Sequence, residues 1–447
     1  MFGTGEIFLL LGALLLMVFA GVHVAVALGI AAVFGIYLMQ GDMVIVRNFI
    51  AQTAYEALRD YVFAVIPLFM LMGDFLAKCG AARDLFALTN RLSRRIPGRL
   101  AIATVLANAV FAFVTGVSIA AAAAFSRIAY PEMKRYGYER KFALGCIAGS
   151  ACLGMLIPPS VLMIVWGVLT EQAIGKIFIA GILPGFVLVG FYCAYIMWVA
   201  LTQPERVGAG KAVQNSGGSV EVSDEEFRTL VVSTFLVIAL ILATLGGIWL
   251  GFFTPTEGAG VGAALALLIA IWKGMRWKEL FEVVLSVGRT SAPLLLLLFC
   301  AQLYSRVLSM TGVTGAVKDF FVASGLGLFG VLAVMVLVWF VLGCLIDSIS
   351  IILITVPVFA PVAMALGFDP LAFAVLGILA IETGLLTPPF GILVFTVKAA
   401  LPHEASVGEI FRGAIPYWFA LIATIVVLAA FPQLASWLPT VGTTIAK

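Results

Sequence analysis

Charge is scarce in this chain: 11% of its 447 residues are Asp, Glu, Lys or Arg, and 63% are hydrophobic. A soluble domain carries roughly 25% charged residues, so the composition excludes a soluble enzyme. Histidine is nearly absent, and His23 and His403 have no partners that could complete a zinc site. Cysteine is sparse and scattered: Cys79, Cys146, Cys152, Cys193, Cys300 and Cys344 lie in or beside apolar segments, with no CxxC pair. They read as buried thiols rather than disulfides or metal ligands. The net charge of +3 says nothing about nucleic acid, and no basic tract interleaves with aromatic residues, so no nucleic-acid partner is expected. A basic region ahead of the first apolar run is also missing. Met1–Glu6 carries an acid instead, so that run is expected to be an uncleaved first span rather than a signal peptide.

What the chain does have is long apolar runs. Ile7–Met39, Val231–Leu250, Leu326–Leu366 and Ile415–Leu434 each meet the ~20 residues needed to cross a bilayer. With a mean hydropathy of +1.16, the fold class is an all-α polytopic membrane protein. Sliding the sequence on itself by 230 residues reveals a duplication. "GMLIPPSVLM" (154–163) lands on "GLLTPPFGIL" (384–393), Pro131 on Pro361, Gly137–Tyr138 on Gly367–Phe368, and Ser118–Ile119 on Ser348–Ile349. At a slightly larger shift "AIGKIFIAGILPGF" (173–186) resembles "SVGEIFRGAIPYWF" (406–419).

The first repeat, 1–201, holds spans at 6–22 and 24–40, an amphipathic segment 42–60, a third span 61–80 and a second amphipathic stretch 82–97. A stretch with a polar centre (100–130), a span broken by Pro-Pro (142–170) and a final span (176–201) complete it. The second repeat, 229–447, reads the same way: 231–250, 257–272, 273–290, 291–310, 313–323, 326–361, 371–397 and 414–435. Residues 202–228 form the linker between them. In 100–130 and 326–361 two half-length apolar arms flank the polar centres "FVTGVSIA" (113–120) and "CLIDSISI" (344–351). This pattern predicts re-entrant helical hairpins, tolerated where protein or a watery cavity surrounds them. Each half then crosses an odd number of times, and the repeats are inverted.

The basic residues fit that topology. Arg83, Arg91, Arg94, Arg95 and Arg99 put 81–99 on the cytoplasmic side; Lys134, Arg135, Arg140, Lys141 and Lys273, Arg276, Lys278, Arg289 then fall inside too. The segments 171–175, 251–257 and 362–370 fall outside and hold no Lys or Arg. Both termini are predicted periplasmic.

Two adjacent prolines at membrane depth remove backbone donors where no water replaces them. Broken helices in inverted repeats are the mark of secondary transporters, whose sites lie at the repeat interface. A break presents N–H groups that suit an anion and carbonyls that suit a small cation. Polar residues gather there: Thr115, Gly116 and Ser118 at tip one; Asp347, Ser348 and Ser350 at tip two; Ser150 and Ser160 at the first break, beside Pro159; Glu382, Thr383 and Thr387 at the second, beside Pro389. Of these, Thr115, Gly116, Pro159, Ser160, Ser350, Thr387 and Pro389 are the substrate-binding candidates. Asp347 and Glu382 are intramembrane acids, functional by default. Asp347 serves either as a cap for its hairpin arm or as an ion ligand; Glu382 either joins the site or pairs with Arg306 or Lys398. Their partners at the 230-residue shift are Val117 and Cys152, so the two halves are not chemically equal. Asn108 and Arg127 are expected to hold the first hairpin together.

These stretches, with "AVIPLFMLMGDFLAKCG", "TGVSIAAAAAFSRIAYPEMKRYGYERKFALG", "TPTEGAG" and "DSISIILITVPVFAPVAMALGFDP" through "ETGLLTPPFG", resemble the large membrane subunit of TRAP (tripartite ATP-independent periplasmic) transporters. The resemblance implies an elevator-type, Na⁺-driven importer of an organic acid in a bacterial inner membrane. It implies a small four-helix membrane subunit, expected as a separate chain, and a periplasmic substrate-binding protein. It makes 1–80 and 229–310 scaffold, 82–97 and 313–323 arms, and 100–201 and 326–435 the moving part. Carried onto this chain it sets one Na⁺ near Gly116, Ser118 and the Gly154–Pro158 carbonyls. A second falls near Asp347, Ser348 and Thr383 with the Gly384–Pro388 stretch. The family's first tip reads Gly-Ser-Ser-x-Ala-Asp; here Val117 and Ala121 replace a hydroxyl and the acid. The competing readings are a divalent-anion/Na⁺ symporter working without a binding protein, an intramembrane aspartyl-type protease using Asp347 and Glu382, and a channel.

Overall fold

The computed structural model describes residues 3–93, 95–209 and 224–445, and the regular elements among them are all helices. The first half opens with α1 (Thr4–Phe19), α2 (Val24–Gln40), the amphipathic α3 (Met43–Arg59), α4 (Val65–Lys78) and the arm α5 (Ala81–Leu92). A hairpin of α6 (Arg99–Thr115) and α7 (Ser118–Arg135) follows, then α8 (Arg140–Ala151), the single turn α9 (Leu153–Leu156), α10 (Val161–Thr170) and α11 (Ile174–Thr202). The second half runs through α12 (Asp224–Trp249), α13 (Pro255–Trp272), α14 (Trp277–Thr311), α15 (Val313–Ala323), α16 (Gly327–Gly343) and α17 (Ser348–Ala365). It ends with α18 (Pro370–Gly384), α19 (Ile392–Ala400), α20 (Val407–Ala430) and α21 (Gln433–Ile445). Eight helical stretches among the described residues are long and apolar enough to cross a membrane.

Helix starts follow local chemistry. Asp42 and Asp369 accept the first free N–H groups of α3 and α18, and Thr254–Glu257 and Ser406–Glu409 form capping boxes on α13 and α20. Asp60 both ends and restarts the chain. Its N–H closes α3 on the Glu56 carbonyl at 3.0 Å, and its carboxylate accepts the Val62 N–H at 3.0 Å to open a short 3₁₀ turn before α4.

Three expectations need correction. The amphipathic segment 273–290 and the span 291–310 are one continuous 35-residue helix, α14. At the junction Thr290 and Ser291 bond back to the Ser286 and Val287 carbonyls instead of capping a new helix, and Pro293 is accommodated inside α14. The final span stops at Ala430, and α21 starts a separate, more amphipathic helix at Gln433. The hairpin arms are 17 and 18 residues long, not half-length. At 1.5 Å per residue each reaches about 26 Å, close to the ~30 Å hydrocarbon thickness. Of the linker, Pro204–Arg206 forms a 3₁₀ turn and Val207 bridges Tyr138; residues 210–223 lie outside the described residues.

Helices from the two halves interlock in two groups. In one, α2 packs on α14 and α4 on α13; in the other, α8 packs on α20, α10 on α17, and α16 and α20 on α18. The second group is cemented by Trp166 of α10, Trp339 of α16 and Phe373 of α18, whose ring centroids lie 5.5–6.1 Å apart. The arm α5 is tied to the first group. Asp84 pairs with Lys273 and accepts the Ser233 hydroxyl at 2.5 Å, and the Arg91 guanidinium sits 3.8 Å over the Phe227 ring. Asn108 donates to Ser150 Oγ at 2.7 Å, so it joins hairpin one to α8 rather than joining the hairpin's own arms; Arg127 is exposed on α7.

Candidate functional site

Tip one is a two-residue turn. Gly116 takes φ +60°, the left-handed region that glycine enters without penalty, and Val117 is extended. The turn is clasped by the first break, Ile157–Ser160: a Cβ on Gly116 would lie 2.4 Å from the Pro159 carbonyl oxygen, and the Val161 N–H reaches the Gly116 carbonyl at 3.4 Å. On the other side Gly154 packs so closely on Ser118 that a Cβ there would lie 2.9 Å from the Ser118 nitrogen. Thr115, Gly116, Ser118, Ser150, Gly154, Pro158, Pro159 and Ser160 are all buried. The Thr115 hydroxyl bonds back to the Phe111 carbonyl, and Ser160 Oγ has no hydrogen-bond partner among the described residues.

The second copy is more open. Its break spans Leu385–Gly391, and Pro388, Pro389 and Phe390 are exposed, although the peptide bond between the prolines is cis in both copies. Asp347 is exposed at tip two and caps α17: Oδ1 accepts the Ser350 N–H at 3.0 Å and Oδ2 the Ser350 hydroxyl at 2.5 Å. The capping alternative is therefore present in the structure. Thr383 bonds back to Leu379, while Thr387 bonds to the Thr383 carbonyl and accepts the Trp418 indole N–H at 2.9 Å. Gly384 packs on Gly343 of α16.

One residue brings the two tips together. Glu382 is fully buried; Ser118 donates to its Oε2 at 2.6 Å and Ser348 to its Oε1 at 3.4 Å. Neither suggested ion-pair partner reaches it. Arg306 donates to Thr53 and Glu56, and Lys398 to the carbonyls of Pro402 and Ala405. The Cys152 thiol lies 3.8 Å from the Glu382 carbonyl oxygen. Sequence reasoning missed this junction, yet the 230-residue shift held the signal: it pairs Ser118 with Ser348 and Cys152 with Glu382.

The site is built from oxygens: hydroxyls at both tips, break carbonyls, and one acid at its centre. Such oxygen donors suit a hard cation rather than a soft, thiolate-seeking metal. Separate from it, a cavity of about 700 Å³ lies between α3, the Asp60 turn, α14 and the α10–α11 connection. It is edged by Glu56, Asp60, Glu171, Lys176 and Arg306, and none of the predicted site residues lines it.

A family model described as the DctM component of the tripartite ATP-independent periplasmic transporter matches residues 11–434. The chain belongs to this family. As a DctM component it is a TRAP large permease subunit and not an enzyme. The C4-dicarboxylate TRAP large permease DctM of Pseudomonas aeruginosa is 32% identical over 92% of this chain and 93% of its own length. The ectoine permease TeaC of Halomonas elongata is 27% identical over 94% and 95%, and the sialic acid permease SiaM of Vibrio cholerae 27% over 98% of each chain. Two solved membrane transporters share the fold at 14% identity: YdaH of Alcanivorax borkumensis (TM-score 0.58, 83% of this chain and 84% of that one) and MtrF of Neisseria gonorrhoeae (0.57, 88% and 85%). Membership makes the DctM component a multi-pass protein of a bacterial TRAP transporter, hence of the inner membrane, and implies a small membrane subunit and a periplasmic binding protein beside it.

Proposed function

We propose that this DctM component is the transporting subunit of a Na⁺-coupled importer of a small organic acid, delivered by the periplasmic binding protein. The observation that carries the reading is the convergence of both hairpin tips on Glu382, with the proline breaks Ile157–Ser160 and Leu385–Gly391 nearby. That convergence brings chemically matched oxygens from both halves to one place, as a repeat-interface site requires. Na⁺ is cargo here. One ion is assigned to Gly116, Ser118 and the Gly154–Pro158 stretch, and one to Asp347, Ser348, Thr383 and the Gly384–Pro388 stretch. The hard-oxygen chemistry of those residues supports the assignment.

The organic acid is assigned to Thr115 and Gly116 of tip one, Ser350 of tip two, and Pro159, Ser160, Thr387 and Pro389 of the breaks that precede α10 and α19. Their N-terminal N–H groups favour a carboxylate. The partnerless Ser160 hydroxyl supports a polar ligand at the first break. The helices grouped with the tips move past the interlocked α1–α4 and α12–α14, elevator-fashion, with α5 and α15 as connecting arms. Both termini lie on the periplasmic side, and the two halves are inverted repeats.

The test is uptake into proteoliposomes holding both membrane subunits. Uptake of a carboxylate should need the binding protein and an inward Na⁺ gradient. Uptake that ignores Na⁺ removes the coupling. Uptake by the membrane proteins alone favours the binding-protein-independent symporter instead.

A further inference from the structure

Glu382 was not among the residues assigned to either ion, yet it touches both groups. Its two carboxylate oxygens are each taken by one serine, Ser118 from tip one and Ser348 from tip two, residues 230 apart in matching positions. The thiol of Cys152, the residue 230 positions before Glu382, lies against its backbone carbonyl. Glu382 thus sits where equivalent parts of the two halves meet. It is fully buried, and its described side-chain partners are the two hydroxyls rather than a Lys, Arg or His.

A serine hydroxyl has one proton and two lone pairs. When the proton is directed at a carboxylate, the lone pairs face away from it and the oxygen becomes a stronger acceptor. Acids and carbonyls behind a metal ligand act in the same way, fixing its orientation and raising its basicity. Here a single acid stands behind two candidate ligands at once.

We propose that Glu382 is a positioning residue shared by the two cation sites: by accepting both hydroxyl protons it turns Ser118 Oγ and Ser348 Oγ toward the coupling ions. This rests on the Na⁺ reading given above. It departs from a purely structural role, in which the acid would merely hold the tips together. A structural cross-link governs folding and maximal rate; a shared positioning group governs ion affinity at both tips. It also explains how tip one, with valine and alanine where the family pattern has a hydroxyl and an acid, keeps a polarised ligand.

The experiment compares wild type with Glu382→Gln, an isosteric change whose amide can accept from one serine and must donate to the other. Two readouts are taken: the half-saturating Na⁺ concentration for uptake in the full proteoliposome system, and the Na⁺ midpoint of thermal stabilisation of the purified subunit, titrated against choline chloride. Loss of an outer partner of a metal ligand typically weakens affinity 10–100-fold. Both midpoints should rise by that order, with the maximal uptake rate at saturating Na⁺ retained. Adding Ser118→Ala to Glu382→Gln should raise the midpoint by less than the two single changes combined, because the two residues share one contact. Midpoints of Glu382→Gln within about twofold of wild type overturn the proposal, whatever happens to the rate. If Glu382→Gln does not assemble, Ser118→Ala and Ser348→Ala decide it: each must raise the Na⁺ midpoint, and an unchanged midpoint in either overturns it. A wild-type protein that responds to Na⁺ in neither readout refutes the Na⁺ reading itself, whereas a responsive wild type with an indifferent Glu382→Gln refutes only the role given to Glu382.

Discussion

Replacing Gly116 by alanine tests the clasp between tip one and the first break. Two penalties combine. At φ +60° an L-residue with a Cβ pays about 1–2 kcal/mol for the left-handed backbone. The new Cβ would also lie 2.4 Å from the Pro159 carbonyl oxygen, well inside van der Waals contact, and overpacking of this kind costs about 1–3 kcal/mol. The sum is about 2–5 kcal/mol. Gly80→Ala is the internal control: φ is +85° there, but no atom lies within 4 Å of the added Cβ, so it should pay the backbone penalty alone. Apparent midpoints of thermal unfolding in one detergent should fall in the order wild type, Gly80→Ala, Gly116→Ala. Uptake should fall further in Gly116→Ala, because its relief displaces the Pro159 carbonyl and the turn that carries Ser118. A Gly116→Ala protein that melts with or above Gly80→Ala would refute the packing of the tip into the break.

Three further outcomes are expected. Asp347→Asn retains a good helix cap and should leave the melting midpoint unchanged while lowering Na⁺ affinity, whereas Asp347→Ala also loses about 1 kcal/mol of capping; parallel Na⁺ titrations and melts separate the two, and unaltered Na⁺ affinity in both variants confines Asp347 to the cap seen at α17. Lys273→Met leaves Asp84 largely buried beside Ser233 without its ion-pair partner; truncating a buried pair costs about 3–5 kcal/mol, and with side chains 15% and 18% exposed the loss should fall at or below the low end of that range, read as earlier proteolysis near the α5 arm. Lys134 donates to both oxygens of Glu404 at 2.7 Å and holds that carboxyl below the usual carboxylate range. A depressed pKa gives stability that is present above the ordinary value near 4.3 and is lost as pH falls through the lower folded value; Glu404→Gln should therefore lower the melting midpoint at neutral pH and converge on wild type in acid, which flattens the acid side of the melting-versus-pH curve.

Much of this molecule was legible because hydropathy and duplication are one-dimensional signals. Many helices fall close to the expected apolar runs and both Pro-Pro pairs interrupt helices, since apolar runs and adjacent prolines need no tertiary information. The misreadings have local causes. Segments 273–290 and 291–310 differ in polarity, but α14 runs through both and accommodates Pro293 inside it. The hairpin arms carry enough apolar residues beyond their polar centres to stay helical for 17 or 18 positions. At the site, the sequence marked the serines and acids but not their contacts. Glu382 meets Ser118 across 264 positions, a pairing that only the packing of α18 against the hairpins creates. The different exposure of the two proline breaks was equally invisible, because near-identical motifs lie against different neighbours.

The joint at Asp60 has a mechanical consequence. In the first half the amphipathic helix and the span after it are separate rods linked by Tyr61–Ala64, while in the second half the corresponding pair is a single beam about 52 Å long. Arg306 of the beam holds Glu56 and Thr53 of the first rod, so the two are bolted side by side close to the joint. The two halves of the frame therefore differ in where their backbone hydrogen-bond ladder is interrupted: at the Asp60 joint in the first half, and in the second only where Pro293 lacks an N–H inside the otherwise continuous α14.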